Sequence, residues 1–206
     1  SRRADICVCG GDEYWDLHKI YKQADWILNL QKIPENQPFN VMDVPRTIFQ
    51  ICGEAPWAKI YRRNFLFNHD FSFDDLPVFE DFPFACKCIV SAYKISCDSS
   101  VLYHHRKYPG NSSSTLWNFR VNFDALMITK DFLIRQELYE IVKHSYLDKC
   151  LYAIQWRLLQ AANPEILDKT LNEVKNKVFP ELNIEKELEN LSPQSQIIVN
   201  SILADY

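Results

Sequence analysis

The sequence predicts a mixed α/β portion over residues 1–115 followed by an all-α region over 116–206. Three observations carry this. A short apolar run, Ile6 to Cys9, closes on Gly10-Gly11 in the manner of a buried strand ending in a turn. Residues 94–108 alternate enough between apolar and polar side chains to form one or two strands. From Leu116 onward apolar residues recur every three or four positions, the period of amphipathic helices.

Taken in order, the first element is the strand in ADICVCGG. A domain seldom opens on its own central strand, so the chain reads as a piece of a longer protein. Residues 14–33 carry Trp15, Leu17, Tyr21, Trp26, Ile27 and Leu30 at mixed spacing before PENQP breaks the pattern, which fits a helix or an excursion from the core. Asp43 precedes VPRTIFQIC, a short helix with its proline in the first turn. After Gly53 comes a turn, a short strand from Ala58 to Tyr61, and a helical turn from Arg63. Pro83 sits in the first turn of a helix reaching about Tyr93, which puts Glu80 and Asp81 at its N-terminal end. The strand region then leads into PGNSSST, a turn with a hydroxyl-rich loop.

In the helical region, Phe119, Phe123 and Leu126 share one face. Leu147, Cys150, Leu151, Ile154 and Leu158 share another, and Leu167, Leu171, Val174 and Val178 a third. Asn163-Pro164-Glu165 and Ser192-Pro193 pair a capping side chain with a first-turn proline, so two helices start there.

Composition narrows the function. With 47% hydrophobic and 24% charged residues over 206 positions, the chain can bury one sizeable core or two small ones. A net charge of -4 without any block of lysine and arginine argues against nucleic acid as a partner. Neither GxxxxGK[ST] nor GxGxxG occurs, which removes the glycine-rich phosphate loops. No apolar run approaches the ~20 residues that span a bilayer, and SRRADICVCGG is not a signal peptide, so the expected location is the cytoplasm. An amphipathic tail helix leaves peripheral contact with the inner face of the membrane open. Seven cysteines without regular spacing read as reduced thiols in the core. The pairs Cys7/Cys9 and Cys86/Cys88, with His104 and His105, would supply zinc ligands in number, but structural zinc favours pairs two to four residues apart.

The stretch VFEDFPFACKC sets two acids between phenylalanines. They either start a helix, where unpaired N–H groups and the dipole favour negative charge, or one of them is a general base walled by Phe79, Phe82 and Phe84. The surrounding residues bear on the choice. Pro56-Trp57-Ala58-Lys59-Ile60-Tyr61-Arg62-Arg63-Asn64-Phe65-Leu66 is followed by Phe79-Glu80-Asp81-Phe82-Pro83-Phe84. Then come Tyr103-His104-His105-Arg106 and Pro109-Gly110-Asn111-Ser112-Ser113. This ordered series resembles the C-terminal half of the catalytic domain in family 2 glycosyltransferases, over roughly residues 1–115.

The resemblance implies the acceptor-side part of a GT-A nucleotide-sugar domain, and an inverting transfer to a glycan or lipid-linked acceptor. Asp81 would be the catalytic base and Glu80 would orient it or the acceptor. Trp57 and Lys59 would wall the substrate site, against the plainer readings of a core aromatic and a solvated charge. His105 and Arg106 would reach toward the donor diphosphate, against the plainer reading of a surface pair. The family's D-x-D is missing from this chain, so a divalent metal, Mn²⁺ or Mg²⁺, would be held mostly by upstream residues, and the truncated piece would be inactive alone. The alternative is a non-catalytic module that binds carbohydrate or protein through its aromatic residues.

Overall fold

A computed structural model describes residues 3–108, 119–161 and 163–204. The loop expected at 109–115 therefore lies outside the described residues, as does the side chain of Phe119. The chain divides into two compact units, Ser1–Ile141 and Val142–Tyr206. The division falls later than the expected 115/116 because α3 (Phe119–Arg135) packs against α2 (Asp81–Ser91) in the first unit.

The first unit is built on β1 (Ile6–Trp15). One edge of β1 pairs with β4 (Ile95–Lys107), parallel. Its other edge is shared end to end by β3 (Lys59–Tyr61) and β2 (Ile20–Gln23), both antiparallel. Ile6 and Val8 are fully buried on this central strand. The expected turn at Gly10-Gly11 is absent; β1 runs through both glycines. The reason lies in β4, whose register against β1 shifts between Cys9 and Gly11. A Cβ on Gly10 would stand 2.9 Å from the carbonyl oxygen of Ser100, so only glycine lets the bulged partner approach.

Residues 14–33 form the excursion alternative rather than a helix: the end of β1, a turn, β2, and a 3-10 turn at Leu30–Lys32. VPRTIFQIC shortens to a 3-10 turn at Ile48–Gln50. The strand and helical turn after Gly53 appear as β3 and α1 (Arg63–Asn68). In α2 almost every side chain is buried, from Phe82 to Val90 apart from Lys87, so this helix is core on all sides instead of having one apolar stripe.

The second unit carries α4 (Tyr139–Leu159) beyond its first turn, α5 (Pro164–Glu173), α6 (Phe179–Leu182), α7 (Ile184–Glu187) and α8 (Pro193–Leu203). The run from Leu167 to Val178 is not one regular α-helix. Val174–Val178 form a π-helical turn in which the Phe179 N–H bonds the Val174 carbonyl. The two starts marked by proline are found: Asn163 accepts from the Ile166 N–H and Ser192 from the Ser195 N–H. Ser192→Ala is expected to cost ~1 kcal/mol, read as a lowered urea midpoint at unchanged slope. Among the described residues no helix is long and apolar enough to cross a membrane.

Candidate active site

Loop 53–57 connects two groups of sequence-marked residues. Its entry is fixed by pairing with the segment before the 3-10 turn Leu30–Lys32: Leu28 bridges Cys52, and the Gly53 N–H bonds the Ile27 carbonyl at 3.3 Å. A Cβ on Gly53 would lie 2.5 Å from the carbonyl oxygen of Trp26, so glycine is required for this contact. Glu54 follows.

Lys59 then holds the loop from beneath. Its ammonium donates to the carbonyls of Gly53 at 2.7 Å and Ala55 at 2.8 Å, on either side of Glu54, and the residue is only 7% exposed. The expected substrate-wall lysine is thus neither a wall nor a solvated charge. It is a buried cation whose donors serve backbone oxygens, because β3 turns its side chain to the same face as Val8.

Glu80 and Asp81 begin α2. The Glu80 side chain makes no cap bond, and Asp81 is the acid of the first turn. Phe79, just before them, has φ 66°, a left-handed backbone that a bulky residue rarely adopts and that costs ~1–3 kcal/mol. Surrounding contacts hold it: its carbonyl accepts from the Phe82 N–H at 3.2 Å, and its ring lies 5.0 Å from that of Phe82. Lys87 of α2 grips both carboxylate oxygens of Asp74, at 2.8 and 2.7 Å, and so ties the preceding segment to the helix. Of the expected phenylalanine walls, Phe82 and Phe84 are core residues, fully and almost fully buried.

These surroundings reverse the usual effect of a helix start on an acid. Burial, then the negative charges of Glu54 and Glu80, raise the Asp81 carboxyl to about 6, and the N–H groups of Asp81 and Phe82 only partly oppose them. Glu54 is the residue that sequence reasoning missed. No motif marks it, since its role follows from the charge that the fold brings near Asp81, 27 positions further along the chain. Tyr61, on the sheet beside Phe84, has a buried hydroxyl with no hydrogen-bond partner among the described residues. Burial, nearby cysteines and Asp81 all push that phenol upward.

At the other end of the loop, Trp57 stacks on two β4 rings: Tyr103 at 4.2 Å and 23°, and His105 at 5.2 Å and 5°. Trp26 meets Trp57 edge-on at 5.8 Å. Burial, then Lys107, lower the His105 pKa below its ordinary value, so the ring is held neutral at pH 7. Arg106 does not join it. Successive strand residues face opposite sides, and Arg106 bonds Asp16 at 2.9 Å on the other face, where His104 also meets Asp12 at 2.6 Å. The period-two rule applied to an expected strand would have separated this pair from sequence.

All seven cysteines are free thiols. Burial pushes Cys88 and Cys97 up to about 12, which leaves them protonated and unreactive at neutral pH. Among the described residues no group of three or more His, Cys, Asp and Glu could hold a metal ion.

No protein-family model and no curated protein matches the chain. Among solved structures, it is similar to residues 1–349 of S. aureus TarS crystallised in complex with UDP-GlcNAc, at TM-score 0.40 and 18% identity. That alignment covers 98% of this chain and 48% of the other, so the chain spans about half the length of the structure it matches.

Proposed function

We propose that the chain is the acceptor-side part of an inverting nucleotide-sugar glycosyltransferase and that Asp81 is its general base. The GT-A-like portion is residues 1–115, followed along the chain by the helical region 116–206. The observation that carries the reading is the Asp81 carboxyl, held at about 6 at the start of a buried helix, with the loop of Glu54 beside it. A base with that affinity is ionised at neutral pH and still takes a proton readily.

In the step proposed, an Asp81 oxygen takes the proton of the acceptor hydroxyl as that oxygen bonds to the anomeric carbon of the donor. The bond from that carbon to the diphosphate breaks, and the nucleoside diphosphate leaves with the electron pair. Trp57 and the neutral His105 form an aromatic wall near the acceptor. The acceptor is a glycan or a lipid-linked sugar, met in the cytoplasm at the inner face of the membrane. A divalent metal, Mn²⁺ or Mg²⁺, would neutralise the diphosphate. Among the described residues no group of three or more His, Cys, Asp and Glu could hold one; its ligands are proposed to lie mostly outside this chain, and no step here depends on it.

The test is release of nucleoside diphosphate from a panel of nucleotide sugars by the full-length protein. A folded protein that turns over none of them sinks the reading. A companion prediction concerns charge. Glu54→Gln removes the largest like-charge effect on Asp81, so the acidic limb of the rate profile is expected to move below about 6. An unmoved limb would separate Glu54 from the base.

A further inference from the structure

One carboxylate on the open sheet face orients two tryptophans. Glu13 accepts from the indole N–H of Trp26 at 3.1 Å through one oxygen and from that of Trp15 at 3.2 Å through the other. Lys107 stands 3.5 Å from the same carboxylate. With both N–H groups bonded, what Trp26 still offers is apolar ring surface, and it remains 42% exposed, whereas the half-buried Trp15 carries the Lys22 ammonium 4.5 Å over its ring. His105, edge-on to Trp26, and Lys107, whose ammonium lies 6.0 Å over the Trp26 ring, add hydrogen-bonding groups beside it.

We propose that this face, centred on Trp26, Trp15 and Glu13, binds a neutral saccharide chain. The proposal deepens the transferase reading, on which it rests, by naming the acceptor class. A pyranose ring presents an apolar C–H face to an indole and directs equatorial hydroxyls outward to polar groups in the ring plane, the combination found here. Charge decides against a nucleotide or an anionic lipid headgroup. A carboxylate sits between the indoles and pairs with Lys107, so an anion there would face Glu13 with only Lys22, over the Trp15 ring, to offset it. The face is also continuous with the proposed catalytic residues, because Gly53, the residue before Glu54, packs directly on Trp26.

The experiment titrates the full chain with chitopentaose, cellopentaose and maltopentaose, following tryptophan emission and heat. At least one is expected to saturate below about 10 mM. Trp26→Ala should weaken it about tenfold, Trp26→Phe much less, with Trp15→Ala as a second variant at the other indole. No saturation by any of the three, or saturation that both alanine variants leave unchanged, overturns the proposal. So does binding of UDP or of phosphatidylglycerol vesicles through Trp26 in place of the saccharides. Release of nucleoside diphosphate, measured on the same protein, keeps the two readings apart: failure of the transferase reading shows as saccharide binding without transfer.

Discussion

On the proposed transferase reading, Asp81→Asn in the full-length protein is expected to lower transfer by ~10²–10⁴-fold and, at the same time, to stabilise the fold above pH 6. The two effects have one cause. In the unfolded chain the carboxyl has its ordinary pKa of 3.8, and in the folded protein it is raised to about 6, chiefly by burial. Below about pH 4 both states hold the proton and the group is neutral toward folding. Between about 4 and 6 the folded state keeps a proton that the unfolded state has released, so stability falls as pH rises. Above about 6 the folded protein carries the full penalty of a buried, repelled charge, up to about 3 kcal/mol at 1.36 kcal/mol per pH unit. Asparagine has no charge to bury. Thermal melts at pH 8 should therefore rise while turnover is lost, and the wild-type decline between pH 4 and 6 should flatten. A variant that transfers at the normal rate while folded removes Asp81 from the base role. A variant that is less stable at pH 8 removes the account of its pKa.

Lys59→Met is expected to cost ~2–4 kcal/mol, because it leaves the carbonyls of Gly53 and Ala55 buried without a donor. Methionine fills the volume of the lysine stem, so the loss reports hydrogen bonds more than packing. Lys59→Arg should not restore stability, since a planar fork replaces a compact ammonium at a buried site. The measurement is the urea midpoint, combined with the pH profile of transfer. If the loop loosens, Glu54 moves relative to Asp81 and the acidic limb shifts. A lysine that merely touched substrate would change KM and leave the midpoint alone, which is the result that would overturn this assignment.

The elements that sequence reasoning located share one property: their signals are local. Pro83 placed the start of α2, the Asn163 and Ser192 caps placed α5 and α8, and alternation placed β4. Each depends on backbone geometry within a few residues. Failures occurred where a distant segment decided. Gly10-Gly11 resembles a turn until the bulge of β4 explains why the strand itself needs glycine. Lys59 is an ordinary surface residue by type, and only the return of loop 53–55 over it makes it a buried clamp.

By itself, then, the sequence located β1, β3 and β4, the starts of α2, α5 and α8, and the position of two acids at a helix start. Local propensity and side-chain period suffice for those. The tertiary structure decided which groups act on one another. It set Glu54 against Asp81 and raised that carboxyl, turned His105 toward Trp57 and Arg106 away, and gave Glu13 two indoles to hold. Desolvation and Coulomb interaction depend on distance in space, and the spacing of residues along the chain does not contain it.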